Sequence, residues 1–294
     1  MREGHNARSA AKIEPSRRER FTTPGFTGVS EALSRLLVSS PPEMHRAPKS
    51  SSTHSRVRMA VLSGTAGFVD AAGFASIAGL FPAHVTGELV GAVAGVSSGS
   101  WQREAARIAV IIVFVVSVVL GALVSRTLRQ RNQSPLAALF GMMALGLLLA
   151  SVSDVAIPLI THDASALPGA AKKCGLVGAM ALQNVVMRHA LSSSCPTTVM
   201  TGNLTQFIIE FVELIAGRRS RERSERSLIR SKAEIRLRVL GTALGSFLVC
   251  AALAVFLTTT IGAVSLLLPT IAIGVLAALE LKSPTAVSRT GTLF

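Results

Sequence analysis

The chain has 294 residues, of which 49% are hydrophobic and only 16% are charged, and its mean hydropathy is +0.51. A soluble domain of this length would be about a quarter charged. The formal net charge of +14 is also unevenly placed, because residues 1–58 and residues 218–238 each carry a net charge of +6. This composition argues against a soluble globular protein and is typical of a multi-spanning membrane protein with two basic aqueous segments.

The basic excess does not indicate nucleic-acid binding. It lies beside apolar runs, where the preference of Lys and Arg for the cytoplasmic side of a membrane already explains it. The chain has no Tyr and a single Trp, so it lacks the aromatic side chains on which bases stack. We therefore expect no nucleic-acid partner.

The two ends of the chain are predicted to be aqueous tails. Residues 1–58 are rich in Arg, Ser and Pro and contain no apolar run, so we expect a disordered basic tail in the cytoplasm. Two alternatives remain open: a translation start at Met44 or Met59, or a basic arm on the membrane surface. Residues 282–294 form the second tail.

Six apolar segments are long enough, or nearly so, to cross a bilayer as helices, because backbone polar groups in lipid must be paired within the segment. In chain order these predicted spans are 59–81, 108–125, 135–153, 175–193, 239–258 and 261–280.

Segments 85–99 and 199–217 are less suited to crossing. The first allows about 14 helical residues, or about 21 Å of helix. The second carries Glu210 and Glu213, which are costly at mid-membrane. If neither crosses, the basic loop at 126–134 lies in the cytoplasm, as does the basic loop at 218–238. The predicted fold is therefore all-α and polytopic, with six full transmembrane helices plus two short or re-entrant helices. Eight spans remain the alternative.

The predicted membrane domain, residues 59–281, reads as a duplication of two halves, 59–153 and 175–280. "GFVDAAGF" in the first half corresponds to "MALQNVVM" in the second, and "HVTGELVG" corresponds to "VMTGNLTQ". Asp70 falls opposite Asn184. With six spans the two halves are inverted relative to one another, a common plan of secondary transporters, whereas eight spans would make them parallel.

The same four motifs, in this order and spacing, resemble the YoaK family of uncharacterised bacterial inner-membrane proteins. The resemblance covers roughly residues 59–280. The family usually has Met-Thr-Gly-Asn in its first half, whereas this chain has that form only at residues 200–203. The resemblance implies a membrane protein of six or seven spans and implies no substrate.

The two Thr-Gly phrases are predicted to begin helices. Their members are Thr86, Gly87 and Glu88 in the first half and Thr201, Gly202 and Asn203 in the second. On a structural interpretation the Thr hydroxyls cap the free amides of the first turn. On a functional interpretation the two helix ends lie inside the membrane and hold a polar solute or an anion between them. Glu88 would occupy one end when ionised, and its protonation offers a route to proton coupling.

A ladder of glycines follows the first phrase. Gly87, Gly91, Gly95 and Gly99 are spaced four apart, so they form one bare stripe on a helix. Such stripes let another helix approach closely in lipid. We expect helix packing there, with a bare pore wall as the alternative.

Asp70 lies in the middle of the first predicted span. A carboxylate there is costly, so it should face the protein interior or water. It is either a structural hydrogen-bonding group or a proton or ion site. Gln183 and Asn184 occupy the matching place in the second half and are its candidate partners.

The sequence indicates transport more than any other activity. The histidines have no ligand spacing, and neither a phosphate loop nor a nucleophile elbow occurs, so we expect no enzyme, metal or cofactor. The predicted function is passage of a small solute or ion across the bacterial inner membrane, with proton coupling as an option and the N-terminus in the cytoplasm. The alternative is a scaffold that binds partners through the glycine stripe. The lipid bilayer is the expected partner, and a homo-oligomer remains open.

Overall fold

The computed structural model describes residues 53–77, 79–96, 101–161, 167–191, 195–216 and 223–282. This part of the chain is helical and contains no strand. In chain order the helices are α1 (Thr53–Ser76), α2 (Val85–Val96), α3 (Trp101–Gln130), α4 (Leu136–Thr161), α5 (Leu167–Val185), α6 (Met200–Ala216), α7 (Arg223–Ile261) and α8 (Leu267–Lys282). A π-helical turn, Val186–Ala190, continues α5, and a 3-10 turn, Gly262–Leu266, joins α7 to α8.

The long helices extend beyond the apolar runs that predict them. α1 begins at Thr53, inside the predicted tail, and the rest of that tail lies outside the described residues. α7 begins at Arg223, so most of the predicted basic loop at 218–238 is helical. Arg, Glu and Lys are good helix formers, which lets a spanning helix continue into water. The C-terminal tail beyond Lys282 lies outside the described residues.

Within the described residues, four helical segments are long and apolar enough to cross a membrane: Thr53–Ser76, Arg107–Gln130, Leu136–Ile157 and Ala233–Lys282. The last of them contains α7 from Ala233 onward, the 3-10 turn and α8. The predicted span at 175–193 is not among the four. It falls on α5, whose apolar run is interrupted by residues such as Lys172 and Gln183.

The polar content of α5 is tolerated because α5 lies inside the bundle. Nearly every residue from Gly175 to Met187 is buried. α1 is a second inner helix, since 67% of its apolar window is buried, whereas the figure for α3 is 17%. The outer face of α3 exposes Val115, Val119 and Leu123, as a lipid-facing helix should.

The inner helices run in opposite directions. Gln183 Nε2 on α5 donates to the Leu62 carbonyl on α1 at 2.9 Å. Met187, one turn later in the π-helical turn that continues α5, lines the same small cavity as Met59, which lies before Leu62 on α1. Residue numbers therefore increase along α5 in the direction in which they decrease along α1, so the two helices are antiparallel.

The other directions follow from further contacts. α3 is parallel to α5, because Gly178 faces Ser117 and Gly121, one turn later on α3, lies against Leu182. α8 ends where α1 begins, because Arg58 pairs with Glu280 at 2.6 Å. The start of α1, the end of α3, the end of α5 and the end of α8 therefore lie on one side of the bundle.

Small residues allow the closest helix contacts. The bare face of Gly67 on α1 lies directly against the Phe247 carbonyl on α7, so an added methyl group would overlap it. Gly175 on α5 meets the Gly146 carbonyl on α4 in the same way. These are the tight interfaces that small residues provide between membrane helices.

Candidate functional site: polar clusters before two short helices

The first polar cluster is built on Asp70, which is buried near the end of α1. After α1 the chain turns back, and Ala83 and His84 return to the level of this carboxylate. Asp70 Oδ1 accepts from the Ala83 amide at 2.7 Å, and Oδ2 lies 2.6 Å from His84 Nδ1. Asp70 therefore fixes the two residues that precede α2.

Glu88 completes the first cluster from inside α2. Its Oε1 accepts from the Phe81 amide at 3.4 Å, seven residues back along the chain. Its Oε2 lies 3.6 Å from Arg107 Nε on α3. The carboxylate thus neutralises part of the positive N-terminal end of α2 and also meets a guanidinium.

The second polar cluster has Gln183 and Asn184 at its base, near the end of α5. Asn184 Oδ1 accepts from the Thr198 hydroxyl at 2.7 Å, and Gln183 Nε2 donates to the Thr197 hydroxyl at 2.9 Å. Gln183 Oε1 is buried and has no hydrogen-bond partner among the described residues. These contacts hold the two residues that come shortly before α6.

Asn203 completes the second cluster from inside α6. Its Nδ2 donates to the Pro196 carbonyl at 2.5 Å, seven residues back along the chain, and its Oδ1 accepts from the Cys195 thiol at 3.1 Å. Asn203 is buried, as Glu88 is.

The two clusters have the same pattern of contacts. Asp70 and Asn184 each reach a side chain 14 residues later, and Glu88 and Asn203 each reach the backbone seven residues earlier. The difference is chemical. The first cluster contains two carboxylates, a histidine and an arginine, whereas the second contains amides and hydroxyls.

The predicted threonine caps do not form. α2 begins at Val85 and α6 at Met200, so Thr86 and Thr201 lie inside the first turn with exposed side chains. The residues two places later, Glu88 and the buried Asn203, fold back onto the preceding loop instead. A side chain in the first turn reaches that loop because the chain enters each helix through a sharp bend.

Glycines of the two phrases lie next to open space rather than against another helix. Gly87 has no atom within 4 Å of its bare face, and Gly202 meets only the side chain of Val199, three residues earlier in the sequence. Gly91 faces the Arg107 guanidinium of α3. Gly95 lies in the last turn of α2. Gly99 lies outside the described residues, and packing along the whole stripe stays a prediction.

The structure keeps the two clusters apart. Gln183 contacts α1 at Leu62, eight residues before Asp70, which is about 12 Å along the helix. No hydrogen bond or ion pair between the described residues joins Asp70 to Gln183 or Asn184. The predicted partnership is therefore wrong, and the partners of Asp70 are His84 and the Ala83 amide.

The partners of two buried acids were not found from the sequence. His84 pairs with Asp70 through a turn that composition does not reveal. Glu210, which the sequence marks only as costly at mid-membrane, is buried and accepts from Arg236 Nη1 at 2.7 Å and from Gln206 at 2.9 Å. The signal was present in the spacing, because Arg107 and Arg236 both lie just before the apolar run of the helix that follows a Thr-Gly helix.

The profile of the family described as "Protein of unknown function (DUF1275)" matches residues 58–279. This match covers most of the chain and supports the predicted resemblance at the level of an uncharacterised family, while the narrower YoaK name stays a prediction. No curated protein and no solved structure has significant similarity to the chain.

Proposed function

The chain belongs to the DUF1275 family, whose function is unknown, and we propose that it is a six-span transporter of a small ion or solute, built as an inverted duplication and coupled to protons through Asp70 and His84. The observation that carries the proposal is the pair of short helices, each starting beside a buried polar cluster, of which one is ionisable and the other neutral.

The helix directions support six spans. α3 starts on the side where α1 ends, so α2 connects two points on the same side. α5 ends on the side where α1 starts. α7 also starts there, because α8 returns to that side and a five-residue turn joins it to α7. α6 therefore connects the end of α5 to the start of α7 on one side, as α2 does on the other side. On this proposal α2 and α6 are half-spanning helices.

Matching ion pairs support the duplication. Arg58 on α1 pairs with Glu280 on α8, and Lys172, 114 residues later on α5, pairs with Asp154 on α4. Asp70 and Asn184 are also 114 residues apart. Since α1 and α5 are antiparallel, the two halves are inverted, which is the arrangement expected of many secondary transporters.

Asp70 and His84 are suited to carry a proton. A carboxylate within a spanning helix is costly and marks ion or proton pathways. The Asp70 side chain is 5% exposed, but that of His84 is 41% exposed, so the imidazole gives the buried carboxylate a route to the surface. A proton that arrives on Asp70 weakens its hold on the Ala83 amide and thereby on the start of α2.

The same geometry supports placement in the bacterial inner membrane with the N-terminus in the cytoplasm. The exposed Arg126, Arg129 and Arg188 lie on the side where α1 starts. Basic residues accumulate on the cytoplasmic side of membrane proteins.

Proton flux tests the proposal. The purified chain is reconstituted in liposomes that contain a pH-sensitive dye, and a potassium diffusion potential drives protons. We expect flux above that of empty liposomes, and at least a tenfold lower flux for Asp70→Asn. Glu213→Gln, which removes an exposed carboxylate of α6, should match the original chain.

The outcome that contradicts coupling is an Asp70→Asn protein with unchanged flux. Each variant is checked for the same melting temperature in detergent, so that loss of flux reports the carboxylate and not loss of the fold.

A membrane scaffold is the second candidate. The observation that favours it is that most polar groups of each cluster bond within that cluster and that Asp70 and Asn184 do not meet. Folded protein in liposomes that passes no protons, while it retains a partner through the glycine stripe of α2, would support the scaffold.

A further inference from the structure

A groove of about 680 Å³ lies between the end of α3 and the π-helical turn after α5. Its apolar part is formed by Val119, Ala122 and Leu123, and its polar part by Arg126, Arg129 and His189. We call it the basic groove. It lies outside both polar clusters, and the proposed transport does not use it.

The groove changes from apolar to cationic along a single face of α3. Residues 119, 122, 126 and 129 are three or four apart, so they are neighbours on that face. The apolar part adjoins the exposed, lipid-facing surface of α3, which includes Val116 and Leu120. The cationic part stands at the end of the most hydrophobic candidate span, Arg107–Gln130.

The two arginines of the groove are available to an anion. Both are exposed, and no described carboxylate pairs with either of them. The turn after α3 also uses the last carbonyls of the helix, because the Gln133 amide donates to the Leu128 carbonyl at 2.8 Å and the Asn132 amide to the Arg129 carbonyl at 3.0 Å. The polar end of the groove therefore presents donors and positive charge.

We propose that the basic groove binds an anionic phospholipid, with the phosphate between Arg126, Arg129 and His189 and an acyl chain along Val119 and Leu123. Charge complementarity selects the headgroup, because arginine binds phosphate with two parallel hydrogen bonds. The order of apolar and cationic residues matches the order of tail and headgroup in a lipid. Basic pockets between spanning helices on the cytoplasmic side commonly hold such headgroups.

Native mass spectrometry of the full chain in neutral detergent tests this. Phosphatidylglycerol and phosphatidylcholine with the same acyl chains are added separately, and retained lipid is measured. We expect preferential retention of phosphatidylglycerol. Arg126→Gln combined with Arg129→Gln should weaken it about tenfold or more, since each basic residue near an anionic lipid contributes about a fivefold effect.

Arg131→Gln is the matched control, because Arg131 is exposed in the turn after α3 and does not line the groove. It should change retention less than twofold. Arg129→Gln alone, with a melting temperature equal to that of the original chain, provides a second variant should the double variant fail to fold.

Three results would overturn the proposal. These are equal retention of the two lipids, an equal loss in Arg131→Gln, or displacement of the lipid by glycerol 3-phosphate at the same concentration. The last result would identify a soluble phosphate compound as the occupant.

Discussion

Single residues distinguish the two polar clusters more than their backbones do. Asp70 and Glu88 stand where the second cluster has Asn184 and Asn203, so exchanging two acids for two amides turns an ionisable cluster into a neutral one. A buried acid needs a cationic or donating partner. The first cluster supplies His84 and Arg107.

The acid that faces the arginine occupies a different turn in each half. Glu88 faces Arg107 on α3, whereas Glu210 accepts from Arg236 on α7. On the alignment that places Glu88 opposite Asn203, Glu210 corresponds to Gly95. The two carboxylates thus lie seven residues apart on this alignment, which is about two helical turns and places both on the same helix face.

The first prediction copies the positions of Asn203 and Glu210 in α6 onto α2. Glu88→Asn should destabilise the protein by about 1–3 kcal/mol, because it removes the buried carboxylate that faces Arg107 and accepts from the Phe81 amide. Adding Gly95→Glu should recover most of the loss by recreating the arrangement of Asn203 and Glu210. Thermal unfolding in detergent measures both steps.

The control places the new acid elsewhere. Gly87 faces open space, so Glu88→Asn with Gly87→Glu restores the net charge without facing Arg107. Equal stability of the two double variants would contradict the correspondence between Gly95 and Glu210.

At the scale of elements, the sequence predicts where helices occur but not how they meet. Apolar runs near 20 residues identify the spans because lipid demands that length. Helix ends differ from the predicted span ends by up to 16 residues, as at α7, because charged residues that favour helix continue the helix beyond its apolar run. The importance of Asp70 follows from the cost of its burial, but His84 was missed because the turn that returns it to Asp70 leaves no periodic signal.

Regular spacing does not identify the glycines that make the closest helix contacts in the described residues. The four-residue ladder of α2 draws attention, but Gly67 on α1, against the α7 backbone, has far less space than Gly87. Spacing shows only that glycines share a face, and the identity of the facing helix decides whether the face is covered.

The second prediction compares a glycine on α1 with a glycine on α7, the helix that packs against it. Gly67→Ala should destabilise the protein by about 1–3 kcal/mol, because the methyl group overlaps the Phe247 carbonyl. Gly245→Ala on α7 meets nothing within 4 Å and should be neutral or stabilising by up to about 1 kcal/mol. Melting temperatures in one detergent give the comparison, and equal destabilisation by the two would show that α1 and α7 are not in this contact.

At the scale of the whole molecule, antiparallel α1 and α5 connect the proposed topology to the proposed function. Two inner helices in opposite directions, each followed by a bend and a short helix, place one polar cluster toward each end of the bundle. In the sequence, only the few arginines of the loop at 126–134 favour six spans over eight. The helix directions give an independent argument for six. Most polar groups of the two clusters bond within their own cluster, and the buried Gln183 Oε1 is the exception among the described residues.

Sidedness of the turn between α3 and α4 tests this central claim most directly. In a chain whose Cys174, Cys195 and Cys250 are replaced by serine, Arg131→Cys and Val264→Cys are made separately and expressed in bacterial cells. A maleimide that does not cross membranes is applied before and after permeabilisation. Six spans predict that Val264→Cys is labelled in intact cells and that Arg131→Cys is labelled only after permeabilisation. Labelling of both in intact cells would mean that α2 crosses the membrane and would contradict the inverted arrangement.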